Sequence, residues 1–368
     1  MRLRFGTVAL LVACQAPLLF ATSYTQTNLV SDIPGLAANT DLNLKDAWGM
    51  SFSATSPIWV SDRFTGLATL YNGLGVANSL VVTVPPGTPA TGPTGQVFAG
   101  GTTFRLNGSP VNFIFDTLGG TIDAWNGGAS ATVVAAREGA NYTGLALANN
   151  TLYASNFSDG GGIDVYDSNF LPTTLAGNFR DPNLPAGYAP YNIQLVNGRL
   201  YVEFAKVTPG LPISLPGGGG YVDIFDTEGN FVQRLASNGP LDAPWGITLA
   251  PSGFGSFGND ILVGNFGNGE INAFDPTTGA SLGTLTDTNG RPIAIDGLWA
   301  IAFDLPNGAP GALNPDDLFF AAGPNQGNDG LFGKIDVAVP EPAGWGLGLA
   351  GILASAAFLR LCRRRYSV

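Results

Sequence analysis

Apolar positions in this chain come in short runs, each closed by Gly, Pro, Asn or Asp. The pattern is clearest in 241–285, where Trp245–Leu249, Asp260–Gly264, Glu270–Phe274 and Ala280–Leu285 follow one another. Short runs rich in β-formers and bounded by turn residues predict strands. Four in succession predict an antiparallel meander, and the same grammar recurs. A third run that ends in an aromatic followed by Asn or Asp appears at Leu67–Asn72, Thr121–Asn126, Ile163–Asp167, Val222–Asp226 and Ile271–Asp275. These repeat at intervals of roughly 40–60 residues, close to the blade repeat of β-propellers.

A sixth unit is less regular: Leu298–Phe303, Asp317–Ala321 and Leu331–Val337 give only three runs. Tyr24–Val30 alternates as a strand should and precedes the first unit. It is expected to be the fourth strand of the sixth unit, closing the ring and removing a free edge. The predicted fold is therefore all-β, a six-bladed β-propeller over 24–338 closed by an N-terminal strand. A seventh blade stays open if the Pro/Gly-rich stretch Gly210–Gly220 hides a unit. No second domain is visible.

Five of the six units open their first strand on an aromatic: Trp48, Tyr142, Tyr191, Trp245 and Trp299; the second unit opens on Gly95-Gln-Val-Phe98. These aromatics are expected either to pack between blades or to ring one mouth of the central channel. Second strands end at Asp62, Asp116, Asn156, Glu203 and Asn265, in roughly equivalent places. Such side chains serve as turn residues, or as oxygen ligands converging on an axis, a donor set that suits Ca²⁺. Glu203 interrupts an apolar run (LYVEF). A buried carboxylate is costly without a partner, so an exposed edge paired with Lys206 is expected. The loops Asn156–Gly162 and Pro324–Gly330 read as tight turns that need positive φ.

Composition removes whole classes of chemistry. There are no histidines, so His-based triads and His-ligated zinc are excluded. The two cysteines, Cys14 and Cys362, lie in the two ends, leaving the body without a disulfide or thiol nucleophile. Formal charge is −11, and six of the 16 basic residues (Arg2, Arg4, Arg360, Arg363, Arg364, Arg365) sit in those ends. A body this acidic disfavours nucleic acid, which needs clustered Lys and Arg.

Residues 1–23 predict a secretory signal peptide: a basic start, an apolar Val8–Phe20, and small residues at Ala21-Thr22-Ser23. Leu11-Val12-Ala13-Cys14 leaves a lipoprotein signal as the other reading. Residues 339–368 hold Pro340-Glu341-Pro342, an apolar Ala343–Leu359 and a basic tail. At ~1.5 Å per residue the apolar run spans about 25 Å, enough for a short membrane helix, and the arginines would hold its end in the cytoplasm.

This tripartite tail resembles the PEP-CTERM sorting signal of Gram-negative bacteria. The resemblance implies export through the inner membrane, transient anchoring, and recognition of Pro340-Glu341-Pro342 by an exosortase-type transpeptidase. It also implies a cell-surface or extracellular setting, with extracellular polysaccharide as a candidate partner. The body, through Asn28–Asp32, Leu184–Pro190, Pro244-Trp-Gly246, Leu262–Gly267 and Ile295–Trp299, resembles an uncharacterised family of exported bacterial propeller proteins. More distantly it is similar to NHL-repeat and gluconolactonase-type six-bladed propellers, which implies one divalent ion at the axis. This chain departs from that pattern, since its first strands open on Trp or Tyr where that group places a Glu ligand. The expected function is a non-catalytic binding or structural module at the cell surface. The alternative is a Ca²⁺-dependent lactonase-like hydrolase with its site at the axis.

Overall fold

The repeated aromatic–Asx pairs are the ends of third strands, and the Asx side chains build the turns that follow. Asn72 Oδ1 accepts the backbone N–H groups of Leu74 and Val76, both at 2.9 Å. Asp167 does the same for Asn169 and Leu171, and Asp226 for Glu228 and Asn230. Asp275 accepts from Thr277 and Thr278. A short polar side chain thus satisfies the donors that a tight turn would otherwise leave open. Asn126 differs, donating instead to the Leu106 carbonyl.

The computed structural model describes residues 22–88, 90–303 and 314–338. Over these residues the chain forms six blade sheets in succession, antiparallel but for a short parallel pair of Val30-Ser31 with Asn39-Thr40, and a separate small hairpin of Arg105-Leu106 with Ser109-Pro110. Their innermost strands are Ala47–Ser51, Pro93–Phe98, Tyr142–Ala148, Tyr188–Val196, Pro244–Leu249 and Leu298–Phe303. Each innermost strand contacts the next, and the last contacts the first, so the ring is closed. No strand forms between Lys206 and Tyr221, which settles the count at six. Blade 3 is the thinnest: its fourth strand is reduced to one bridge, Tyr166 with Pro172.

The N-terminal strand, Tyr24–Ser31, completes blade 6 as its pattern predicts. It pairs antiparallel with Leu331–Val337, Tyr24 opposite Val337 and Ser31 opposite Leu331. The Tyr24 hydroxyl also donates to the Phe254 carbonyl of blade 5 at 3.3 Å. The chain start therefore ties two blades and covers an edge that would otherwise template aggregation. Between blades the core is aromatic; Trp59 stacks on Phe113 at 4.2 Å where blades 1 and 2 meet.

The signal peptide, the sorting motif Pro340-Glu341-Pro342 and the apolar segment 343–359 lie outside the described residues, apart from Thr22 and Ser23. Among the described residues no helix is long and apolar enough to cross a membrane.

Candidate functional site

All six innermost strands are bulged at the same place. Pairing with the second strand skips Trp48 and Gly49 in blade 1, Thr94 and Gly95 in blade 2, and Thr143 in blade 3. It skips Tyr191 in blade 4, Trp245 in blade 5, and Trp299 with Ala300 in blade 6. A bulge bends its strand and re-aims one side chain. In blades 1, 2, 3 and 5 a glycine follows the bulged residue and lets the next blade press against it. A Cβ on Gly95 would lie 2.6 Å from the Gly144 Cα, and one on Gly246 would lie 2.5 Å from the Trp299 carbonyl oxygen.

Four of the bulged residues meet in one buried cluster. Trp48, Tyr191, Trp245 and Trp299 are each 2% exposed or less. Trp48 and Trp299 pack edge-to-face at 4.0 Å; Trp299 lies 5.8 Å from Tyr191 and 5.9 Å from Trp245. Trp245 Nε1 donates to the Thr143 carbonyl at 2.9 Å, so blade 5 is bonded directly to blade 3. Fully burying a large apolar side chain contributes roughly 1.5–3 kcal/mol, so the cluster is a plug that holds the ring together.

Above the plug lies a cavity of about 440 Å³. Trp48, Trp299 and Phe266 lie beneath it, and Phe266, the half-exposed member, stacks on Trp299 at 4.0 Å. Ile213, Leu215 and Pro216, from the loop that leads out of the second strand of blade 4, form one wall. The remaining lining is more polar. Asp46 accepts from Arg63 Nε and, at 3.1 Å, from Trp299 Nε1. Burial pushes the Asp46 carboxyl above the usual carboxylate range, and the Arg63 guanidinium opposes that. Asp46 also carries a positive φ of 50°, and non-glycine residues held in this region cluster at functional sites. Asp296 and Gln326 complete the rim.

The chain is 31% identical over 334 residues to the protein described as "Uncharacterized protein R648" of Acanthamoeba polyphaga mimivirus, covering 85% of this chain and 80% of that one. It belongs to that protein's family. No family model matches the chain. A glucose dehydrogenase superposes with a TM-score of 0.52 at 12% identity, covering 85% of this chain and 100% of that one, which supports the propeller fold alone. A gluconolactonase from Xanthomonas campestris gives 0.43 at 13% identity over 87% of this chain and 99% of its own. The distant likeness to six-bladed propellers stands; the R648 relative is viral and lends nothing to a bacterial sorting origin.

Within this R648-family ring the sequence-predicted residues separate. Tyr142 is not at the bulge; Thr143 is. Tyr142 packs between blades 2 and 3, its hydroxyl donating to Asp164 Oδ2 at 2.8 Å and lying 2.7 Å from the Tyr166 hydroxyl. The other four aromatics do meet on the axis, but as a plug and not as a ring around an open mouth.

The five candidate oxygen donors do not share one register. Asp62, Asn156 and Asn265 lie opposite Ala47, Tyr142 and Pro244, the residue just before each bulge. Asp116 and Glu203 sit one position earlier, on the other face of the pleat. Asn156 accepts from the Asn141 backbone and Asn265 donates to the Pro240 carbonyl, both in segments entering their own blades. Among the described residues no group of three or more acidic side chains could hold a metal ion. Glu203 is not on an exposed edge. It is fully buried, both carboxylate oxygens lack a partner, and burial raises its pKa well above the ordinary value.

Arg63, Asp46, Phe266 and Gln326 went unseen in the sequence. Phe266 carried a faint signal, an aromatic just after a strand end in Gly264-Asn-Phe-Gly267. The Pro324–Gly330 loop does hold the left-handed residues expected of it, Asn325, Gln326 and Gly327.

Proposed function

We propose that the protein is an exported, surface-sorted propeller whose axial cavity binds a small molecule or a chain end without transforming it. One observation carries the binding reading: the cavity sits over an aromatic plug at the convergence of four blades, the usual place for a propeller ligand. Its volume falls within the roughly 300–1,000 Å³ of ligand sites. Its buried charge is engaged, since Asp46 holds Arg63 and Trp299. That arrangement suits holding a ligand more than activating a nucleophile. Export and sorting rest on the two ends of the sequence, where a leader-like start and Pro340-Glu341-Pro342 before an apolar run are written.

The test is a thermal-shift screen of the protein against sugars, amino acids, organic acids and nucleosides. It is repeated with Phe266→Ala and with Leu215→Ser, the latter a change at a half-exposed wall residue that the fold will tolerate. At least one compound is expected to raise Tm in the parent and in neither variant. A screen in which every hit survives both substitutions sinks the binding reading. Loss of C-terminal processing with Glu341→Ala, read by the mass of the exported chain, tests sorting; unchanged processing refutes it.

A further inference from the structure

The cavity also constrains the charge of what it takes, and this step rests on the binding reading above. We infer that the ligand is an uncharged polyhydroxylated ring, a sugar residue of a neutral glycan.

Three observations narrow the class. The Asp46–Arg63 pair cancels, leaving the exposed carboxylate of Asp296 as the uncompensated charge among the lining residues. A carboxylate, uronate or phosphate ligand would meet that like charge at short range. A cation is disfavoured for a different reason. The Arg63 guanidinium sits 6.0 Å from the centres of both the Trp48 and the Phe64 rings, so a cationic ligand reaching toward that indole would meet a like charge.

What is left is neutral, with one apolar face and a polar belt. Phe266 and Leu215 offer an apolar surface for ring C–H groups. The lining also offers a carboxylate acceptor at Asp296 and, at Gln326, an amide that both donates and accepts, as a belt of hydroxyls requires. Gln326 is brought there at a conformational cost. Asn325, Gln326 and Gly327 run at φ 55°, 62° and 78°, a left-handed turn that non-glycine residues avoid. The turn is held by the Asn325 backbone N–H on Asp296 Oδ2 at 2.9 Å and the Asn325 amide on Asp329 Oδ2 at 2.5 Å. Asp296 therefore both anchors the turn and keeps a free oxygen at the rim.

The experiment titrates the full chain with maltotriose, cellotriose and xylotriose, with a galacturonate trimer, and with a glucosamine trimer. Tryptophan emission and calorimetry are the readouts. At least one neutral trimer is expected to bind tenfold or more tightly than either charged one. Asp296→Asn is expected to shrink the discrimination against the galacturonate trimer at least fivefold. Tighter binding of a charged trimer overturns the inference, as does a neutral-to-uronate ratio that Asp296→Asn leaves unchanged. If no trimer binds while a compound of another class binds in a Phe266-dependent way, the inference fails and the binding reading survives. If nothing binds with Phe266 dependence, both fail.

Discussion

Two sides of the channel use one backbone device and fill it differently. In blades 1, 4, 5 and 6 the bulge carries Trp48, Tyr191, Trp245 and Trp299; in blades 2 and 3 it carries Thr94 and Thr143. The cavity follows the aromatic side, for all its lining residues come from blades 1, 4, 5 and 6 or the loops between their strands. Rings that cross the axis from one side fill the channel, and the other side then has room only for small side chains. Trp245 shows this directly, reaching the Thr143 carbonyl. The aromatic side is held by apolar contact and closes beneath a pocket. The threonine side is held by buried hydrogen bonds and has none of the pocket.

The largest expected effect compares the two sides at matched positions. Trp245→Ala should lower unfolding free energy by roughly 3–5 kcal/mol, as large aromatic-to-alanine changes in cores do. Thr143→Ala, which leaves the Thr143 carbonyl in place, should cost about 1 kcal/mol. Urea unfolding measures both, and equal losses would erase the distinction.

The threonine side holds a pH-sensitive contact that one substitution can isolate. Thr94 has one hydroxyl hydrogen and two acceptors, Asp116 Oδ1 at 2.7 Å and the Tyr142 carbonyl at 2.8 Å. A protonated Asp116 supplies the missing hydrogen. Burial pushes the Asp116 carboxyl up to about 7, although bonds from Thr94 and the Gly95 backbone oppose the rise. Because the folded pKa is above the unfolded one, the stabilisation is full below pH 4 and is lost as pH rises through about 7. Wild type should therefore lose stability between pH 4 and 8, and Asp116→Asn should flatten part of that slope. The rest is shared by Asp123, also pushed up to about 7 by burial, by Asp223 and Asp317, pushed up to about 6, and by the buried Asp46, Asp62 and Glu203, whose carboxyls burial likewise raises. A variant with the parent slope would show that Asp116 is ionised throughout.

A smaller effect concerns the link between plug and cavity. Trp299→Phe keeps the ring but removes the Nε1–H that Asp46 accepts. It should cost about 1.5–3 kcal/mol, the range for a hydrogen bond to a charged group. A cost within error would mean that Arg63 alone satisfies Asp46. The smallest effect is the turn device common to both sides. Asn72→Ala removes an acceptor of two backbone donors and should cost about 1 kcal/mol, measured the same way.

The ring was readable in the sequence because its signals are local. An aromatic closing a third strand and an Asx side chain folding the turn sit side by side in the chain, so the five repeats announce five blades. The closing strand was readable from its alternation and from the missing fourth run of blade 6. The site was less legible, because a bulge leaves no mark on the apolar pattern. One extra residue in each inner strand moved the axis-facing position from Tyr142 to Thr143. The same register argument split the five oxygen donors between two faces. The cavity lining comes largely from loops, where Asp46, Arg63 and Gln326 are brought together only by the closed ring.

Crystals of the full chain soaked in maltotriose, cellotriose or xylotriose test the central claim most directly. The account predicts a ring against Phe266, with hydroxyls within hydrogen-bond reach of Asp296 or Gln326. A sugar bound at any other surface, with the axial cavity holding water alone, would contradict it.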